Sequence, residues 1–236
     1  MAHAQTRPKP SNTLVLFDID GTLTRGTGPY HINSLIKAVG AVTGFKTTSD
    51  GIPVHGMLDT DIVTLMLRAA GASDAIIHGS RHEICARAGS FYVRACPDFQ
   101  KKVLPGVRRV LWRLKQRRIP IGLVTGNLER IGWKKLERAG IKHYFWYGSF
   151  AGTAENRTDL ARLAIEQALR QGWIAPGAKV SLIGDSPNDV IAAKSNGIQS
   201  IAVNTGISTA EELLALQPDV LVKNLLELDF KVLLAA

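Results

Sequence analysis

Apolar and polar positions along the chain fall into two alternating patterns. Short unbroken apolar runs, each closing on a polar turn, are followed by longer stretches whose apolar residues recur at helical spacing. The short runs predict strands at 14–17, 121–124, 144–148, 180–183, 201–203 and 220–222. The longer ones predict helices at 107–118, 130–139, 158–171, 187–195 and 210–216, with Gly140 and Gly197 where a helix ends in a left-handed turn. Strand and helix in steady succession argue for βαβ units, because a parallel strand pair needs a crossover that a helix can fill.

One interval breaks that rhythm. Residues 25–103 carry three helical patterns, near 32–39, 60–70 and 80–95, and no convincing strand. The fold class read from this is α/β: a Rossmann-like parallel sheet with helices on both faces, plus an all-helical cap domain inserted after the first strand. The core is expected to comprise 13–24 and 104–236, the cap 25–103, and residues 1–12 a flexible leader.

Composition changes this picture little. The 236 residues are 45% hydrophobic and 21% charged, values of an ordinary globular chain long enough for a sizeable core. No apolar stretch is long enough to suggest a membrane-spanning helix. The opening "MAHAQTRPKPSN" is polar and lacks the apolar segment of a secretory signal, so a cytoplasmic protein is expected. Cys85 and Cys96 are too few for a disulfide framework and lack metal-ligand spacing.

Charge adds a question about partners. The net charge of +9 raises the local concentration of anions, and its densest basic stretch is "VRRVLWRLKQRR" at 107–118. There Val107, Val110, Leu111 and Leu114 fall on one helical face and the basic residues on the other, so a core-packed helix with a solvated face is the reading. No nucleic-acid motif accompanies it, and no specific nucleic-acid or membrane partner is expected. A monomer and a homodimer both remain open.

Candidate chemistry sits at three strand exits. In an open parallel sheet, ligands bind beyond the carboxyl ends of the strands where strand order reverses. Those ends read "FDIDGTLT", "LVTGN" at 123–127 and "LIGDSPND" at 182–189. Each alone is ordinary turn chemistry. Together they bring Asp18, Asp20, Asp185 and Asp189 to one crevice. Two unit charges ~4 Å apart repel by roughly 4 kcal/mol at an effective dielectric of ~20, so the cluster calls for a cation. Oxygen ligands with no His or Cys beside them favour a hard ion, and Mg²⁺ suits partial coordination with room for water and phosphate.

These stretches resemble the haloacid dehalogenase-like hydrolase superfamily, in its phosphoglycolate-phosphatase-like and phosphoglucomutase-like branch with a helical cap after the first motif. "DIDGTLT" is similar to the first motif, "VTGN" to the second and "GDSPND" to the fourth. The third motif departs from the commoner pattern, a lysine after a short Gly-Lys-Pro stretch. Here the interval reads "GSFAGTAENRTDLARLAIEQAL", and Arg157 is the best-placed cation. The resemblance implies Asp18 as nucleophile and Asp20 as general acid and base. It implies Mg²⁺ on Asp18, Asp185 and the backbone carbonyl of Asp20 with Asp189 in support, and phosphate on Thr125, Gly126, Asn127 and Arg157. Family members that cleave carbon–halogen or carbon–phosphorus bonds lack an acid at the position of Asp20, so phosphate-ester chemistry on a small phosphorylated metabolite is implied.

Two rival functions stay open at this point, a β-phosphoglucomutase-like phosphotransferase and a noncatalytic phosphate- or nucleic-acid-binding protein. Within "DGIPVHGMLDTDIV", His55 and Gly56 occupy the place where related enzymes carry a substrate-specificity loop. The plainer reading makes His55 a loop histidine and Asp59 a helix N-cap. His31, His78, His82 and His143 show no metal spacing.

Overall fold

The computed structural model describes residues 9–26 and 28–235. Six parallel strands form one sheet: β1 (Ser11–Phe17), β2 (Ile121–Leu128), β3 (Tyr147–Ala151), β4 (Ile174–Gly184), β5 (Gln199–Val203) and β6 (Val220–Val222). Their order is β3-β2-β1-β4-β5-β6. The core helices are α4 (Val107–Gln116), α5 (Glu129–Arg138), α6 (Arg157–Arg170), α7 (Pro187–Ser195) and α8 (Ala210–Ala215). Three more lie between β1 and α4: α1 (Tyr30–Thr43), α2 (Asp59–Ala69) and α3 (Asp74–Ala95).

The apolar run of β1 explains the layering. Successive strand side chains point to opposite faces. Leu14 and Leu16 join Leu160 and Ala164 of α6 and Ala193 of α7, whereas Val15 and Phe17 join Val107 and Leu111 of α4 and Leu136 of α5. Both faces of the central strand are thus covered by helices, which gives the α/β fold class read from the sequence.

Several boundaries differ. Of the expected leader, residues 1–8 lie outside the described residues, and Ser11 and Asn12 already belong to β1, where Ser11 pairs with Ile174 of β4. The strand expected at 144–148 begins at Tyr147; Lys142–Tyr144 form a 3₁₀ turn, and Phe145 is buried edge-on against Phe17 with ring centres 6.1 Å apart. Of the apolar run Tyr144-Phe145-Trp146 only Phe145 is buried; Trp146 is exposed, and its amide donates to the Ile121 carbonyl where pairing with β2 begins. β2 continues past Val124 to Leu128, and its register with β3 shifts over that extension. α3 begins at Asp74, ahead of the expected 80, capped by the Ser73 hydroxyl accepting from the Ile76 amide, and its buried stripe starts at Ile77 and continues through Ile84 and Ala88.

The chain leaves the core and returns to it side by side. Thr24 bridges Val103, the Arg25 amide donates to the Lys102 carbonyl, and the Leu104 amide donates to the Leu23 carbonyl. Between those crossings α1, α2 and α3 bury Leu35, Val39, Val63, Met66, Ile84 and Tyr92 together. α2 also packs on β2, and α3 on α5, so the helical segment lies over the carboxyl ends of the central strands.

Candidate active site

β1, β2 and β4 lie side by side where strand order turns back, and their carboxyl ends deliver the acidic and hydroxyl side chains to one place. Asp18 follows β1, Thr125 and Asn127 lie in the extension of β2, Asp185 follows β4, and Asp189 sits in the first turn of α7. Asp18, Asp185 and Asp189 each offer an oxygen, and the three oxygens lie within 4.8 Å of one another. All three residues are buried.

Each carboxylate is fixed by its own loop. Asp189 closes a capping box on α7, its Oδ2 accepting from the Ser186 amide at 3.1 Å and the Ser186 hydroxyl at 2.7 Å. Asp185 accepts from the Thr22 hydroxyl at 2.8 Å. Gly21, at φ 83°, allows this approach: a Cβ there would run into the Asp185 carboxylate.

One arginine serves two of these acids. Arg157, at the start of α6 and 7% exposed, puts Nη1 3.1 Å from Asp18 Oδ1 and Nε 3.0 Å from Asp189 Oδ1. Nη1 also donates to the Val124 carbonyl at 3.2 Å. The Nε contact is misaligned for a hydrogen bond, which leaves Asp189 Oδ1 buried without one.

Three carboxyls against one guanidinium shape the electrostatics. Burial, with Asp189 and Asp20 nearby, pushes the Asp18 carboxyl up to about 7 despite the opposing pull of Arg157. Burial and the Asp18 and Asp189 charges raise Asp185 well above the usual carboxylate range. Burial works against the Arg157 charge too, and its acidic neighbours outweigh it. A hard dication fits this donor set: three carboxylate oxygens within reach of one another, one lacking a hydrogen bond, and excess negative charge.

Asp20 turns to different company. Its Oδ2 accepts from Lys135 Nζ at 2.5 Å and from Asn127 Nδ2 at 2.8 Å. Burial would raise its carboxyl, but the charge of Lys135, with the hydrogen bonds from Lys135 and Asn127, outweighs that and lowers it. Asn127, expected to bind phosphate, thus directs its amide to Asp20 and to the Thr125 hydroxyl, while its Oδ1 accepts from Lys135 at 2.6 Å.

The helical segment reaches this site directly. A Cβ at Gly126 would collide with the Met57 carbonyl, and Asn188 Nδ2 donates to the Gly56 carbonyl at 2.9 Å, so the 55–57 loop rests on two strand exits. His55 itself is exposed. Asp59 is not the N-cap of α2, a position held by Leu58 without a side-chain cap. Its Oδ2 instead accepts from the Leu128 amide at 2.7 Å and lies 2.9 Å from His31 Nε2. Two surface hollows, of about 550 Å³ beside Trp133 and Trp146 and about 400 Å³ beside Tyr30 and Phe91, involve none of these acids.

The fold and site meet a known family. A profile of the haloacid dehalogenase-like hydrolases matches residues 13–197. The chain belongs to this family. Among named relatives of this hydrolase, phosphoglycolate phosphatase 1 of Pseudomonas aeruginosa is 26% identical over 219 residues, 91% of this chain and 78% of its own. Phosphoglycolate phosphatase of Vibrio vulnificus is 26% identical over 230 residues, 94% of this chain and 97% of its own. A Caldanaerobacter subterraneus protein provisionally named the pyrophosphatase PpaX is 26% identical over 219 residues, 92% of each chain. In fold, β-phosphoglucomutase from Clostridium difficile superposes with a TM-score of 0.71 at 20% identity, covering 93% of this chain and 94% of its own.

Lys135, His31 and Asp59 were not legible as site residues. One signal was present: the buried positions of α5 are Ile131, Gly132, Lys135 and Leu136, so Lys135 stands in the apolar stripe of its helix.

Proposed function

We propose that this hydrolase is a Mg²⁺-dependent phosphatase that hydrolyses a small phosphate monoester through an aspartyl-phosphate on Asp18. The observation that carries the reading is the division of the acids: Asp18, Asp185 and Asp189 converge on one point with Arg157, while Asp20 is held separately beside it. The family and the relatives named as phosphatases support the reaction class.

The residues then have distinct tasks. An oxygen of Asp18 attacks phosphorus in line, and the ester P–O bond breaks as the Asp18 O–P bond forms. Asp20 gives its proton to the departing oxygen. It then takes a proton from a water whose oxygen displaces Asp18 from phosphorus, which returns both carboxyls to their starting states. Thr125 and the Gly126 amide donate to phosphoryl oxygens, and Arg157 turns from its carboxylates to grip them with two parallel donors. Mg²⁺, held by Asp18, Asp185 and the Asp20 carbonyl with Asp189 in support, would neutralise the clustered charge and polarise the phosphoryl group.

Residues 25–103 act as the cap in this reading. Docking of the 55–57 loop on Gly126 and Asn188 excludes water while Asp18 is phosphorylated and selects substrate through His55 and Gly56. A small anionic metabolite fits the substrate classes named for the relatives, phosphoglycolate and pyrophosphate. The free thiols Cys85 and Cys96 accord with a reducing cytoplasmic setting.

The test is phosphate release from 4-nitrophenyl phosphate with and without Mg²⁺. Metal-dependent turnover is expected in the native protein and none in Asp18→Asn. Turnover retained by Asp18→Asn would remove the nucleophile, and conversion of a sugar phosphate to its isomer without phosphate release would replace the phosphatase by a mutase.

A further inference from the structure

We propose that Lys135 is a positioning residue for Asp20, oriented by a relay that begins on the helical segment over the site. The inference rests on the acid–base role given to Asp20 above. Lys135 is 2% exposed and lies in the last turn of α5, facing inward beside Leu136. Its ammonium contacts three acceptors: Asp20 Oδ2 at 2.5 Å, Asn127 Oδ1 at 2.6 Å and His31 Nδ1 at 3.2 Å. An ammonium has three protons, so none is left for a substrate. That excludes a substrate-gripping role in this arrangement and leaves an orienting one.

The relay extends outward through His31. A donor at Nδ1 requires the imidazole proton on Nε2, and Nε2 lies 2.9 Å from Asp59 Oδ2. The same Asp59 oxygen accepts from the Leu128 amide at 2.7 Å, which fixes it to the end of β2. His31 belongs to α1 and Asp59 to α2, so the ammonium takes its direction from the segment that covers the site. The ring of Tyr92, on α3, stands 5.9 Å from Lys135 Nζ on a further side.

The consequence falls on one oxygen of Asp20. Oδ2 accepts from both Lys135 and Asn127, and among the described residues no hydrogen bond engages Oδ1. Oδ1 is therefore the oxygen presented to the leaving group. Removing Lys135 lets the carboxyl turn about its Cβ–Cγ bond, and protonation of the leaving oxygen loses its fixed direction.

Leaving-group dependence tests this directly. Phenyl phosphate and 4-nitrophenyl phosphate are alike in shape, but phenolate needs a proton far more than 4-nitrophenolate does. In Lys135→Met, kcat/KM for phenyl phosphate relative to 4-nitrophenyl phosphate is expected to fall about tenfold or more, within the range a general acid supplies. His31→Phe keeps the Lys135 charge, removes only its orienting acceptor, and should lower the same ratio less; it carries the test if Lys135→Met does not fold. An unchanged ratio, whether activity is kept or both esters slow equally, would overturn the positioning role. Absence of turnover of either ester by the native protein would instead overturn the phosphatase reading beneath it.

Discussion

Asp18 and Asp20 are two residues apart on one strand end, yet their surroundings act in opposite directions. Asp18 is 5% exposed and shares Arg157 with Asp189, and burial lifts its carboxyl to about 7. Asp20, its side chain 38% exposed, is paired with Lys135 and is lowered. A nucleophilic carboxylate and a neighbouring acid need the reverse order. The contrast teaches that the protein alone holds the pair in the wrong protonation order for the proposed reaction, and that a dication at Asp18, Asp185 and Asp189 is what would correct Asp18. The repulsion expected among the four clustered aspartates is thus relieved in part by two separate cations of the protein, Arg157 beside Asp18 and Lys135 beside Asp20.

Arg157→Met breaks the comparison on the Asp18 side and should have the largest effect. Loss of the one guanidinium that, among the described residues, contacts these acids should cost turnover about 10²–10³-fold, as for other donors aimed at developing charge. In metal-free protein it should also destabilise folding by about 3–5 kcal/mol, because a buried ion pair loses one partner. Chemical denaturation with and without Mg²⁺ checks this, and a smaller loss in Mg²⁺ is expected.

A milder probe is pH. Because the Asp18 carboxyl is raised when folded, the native state holds its proton more tightly than the unfolded chain does. Its stabilising influence is therefore complete below the usual carboxylate range and is lost as pH rises toward and past about 7; the raised Asp185 acts in the same direction. Metal-free protein should lose thermal stability between about pH 5 and pH 8, and saturating Mg²⁺ should flatten that decline. Melting curves across pH that are equally flat without metal would show that the acids are not held together as described.

Much of this was written in local pattern. Asp18, Thr125 and Asp185 end apolar runs that could only be buried strands, so their meeting at the switch point follows from the order of elements. Arg157 was legible as a cation just before a helix, although its depth between Asp18 and Asp189 was not. Lys135, His31 and Asp59 escaped for a physical reason. Their meaning comes from α1 and α2 lying over α5 and β2, contacts between segments far apart in sequence, and a helical lysine is ordinarily solvated. β3 slipped because Phe145 completes a core beneath the sheet edge without pairing in it.

The most direct measurement of the central claim uses Asp20→Asn, mixed with 4-nitrophenyl phosphate and Mg²⁺, quenched in acid and weighed intact by mass spectrometry. This ester leaves without an acid, while hydrolysis of the acyl phosphate still needs a base, so the covalent species should accumulate. The account predicts a gain of one phosphoryl group, mapping to the peptide that contains Asp18 and absent without Mg²⁺. Unmodified protein that releases phosphate at the native rate would contradict it.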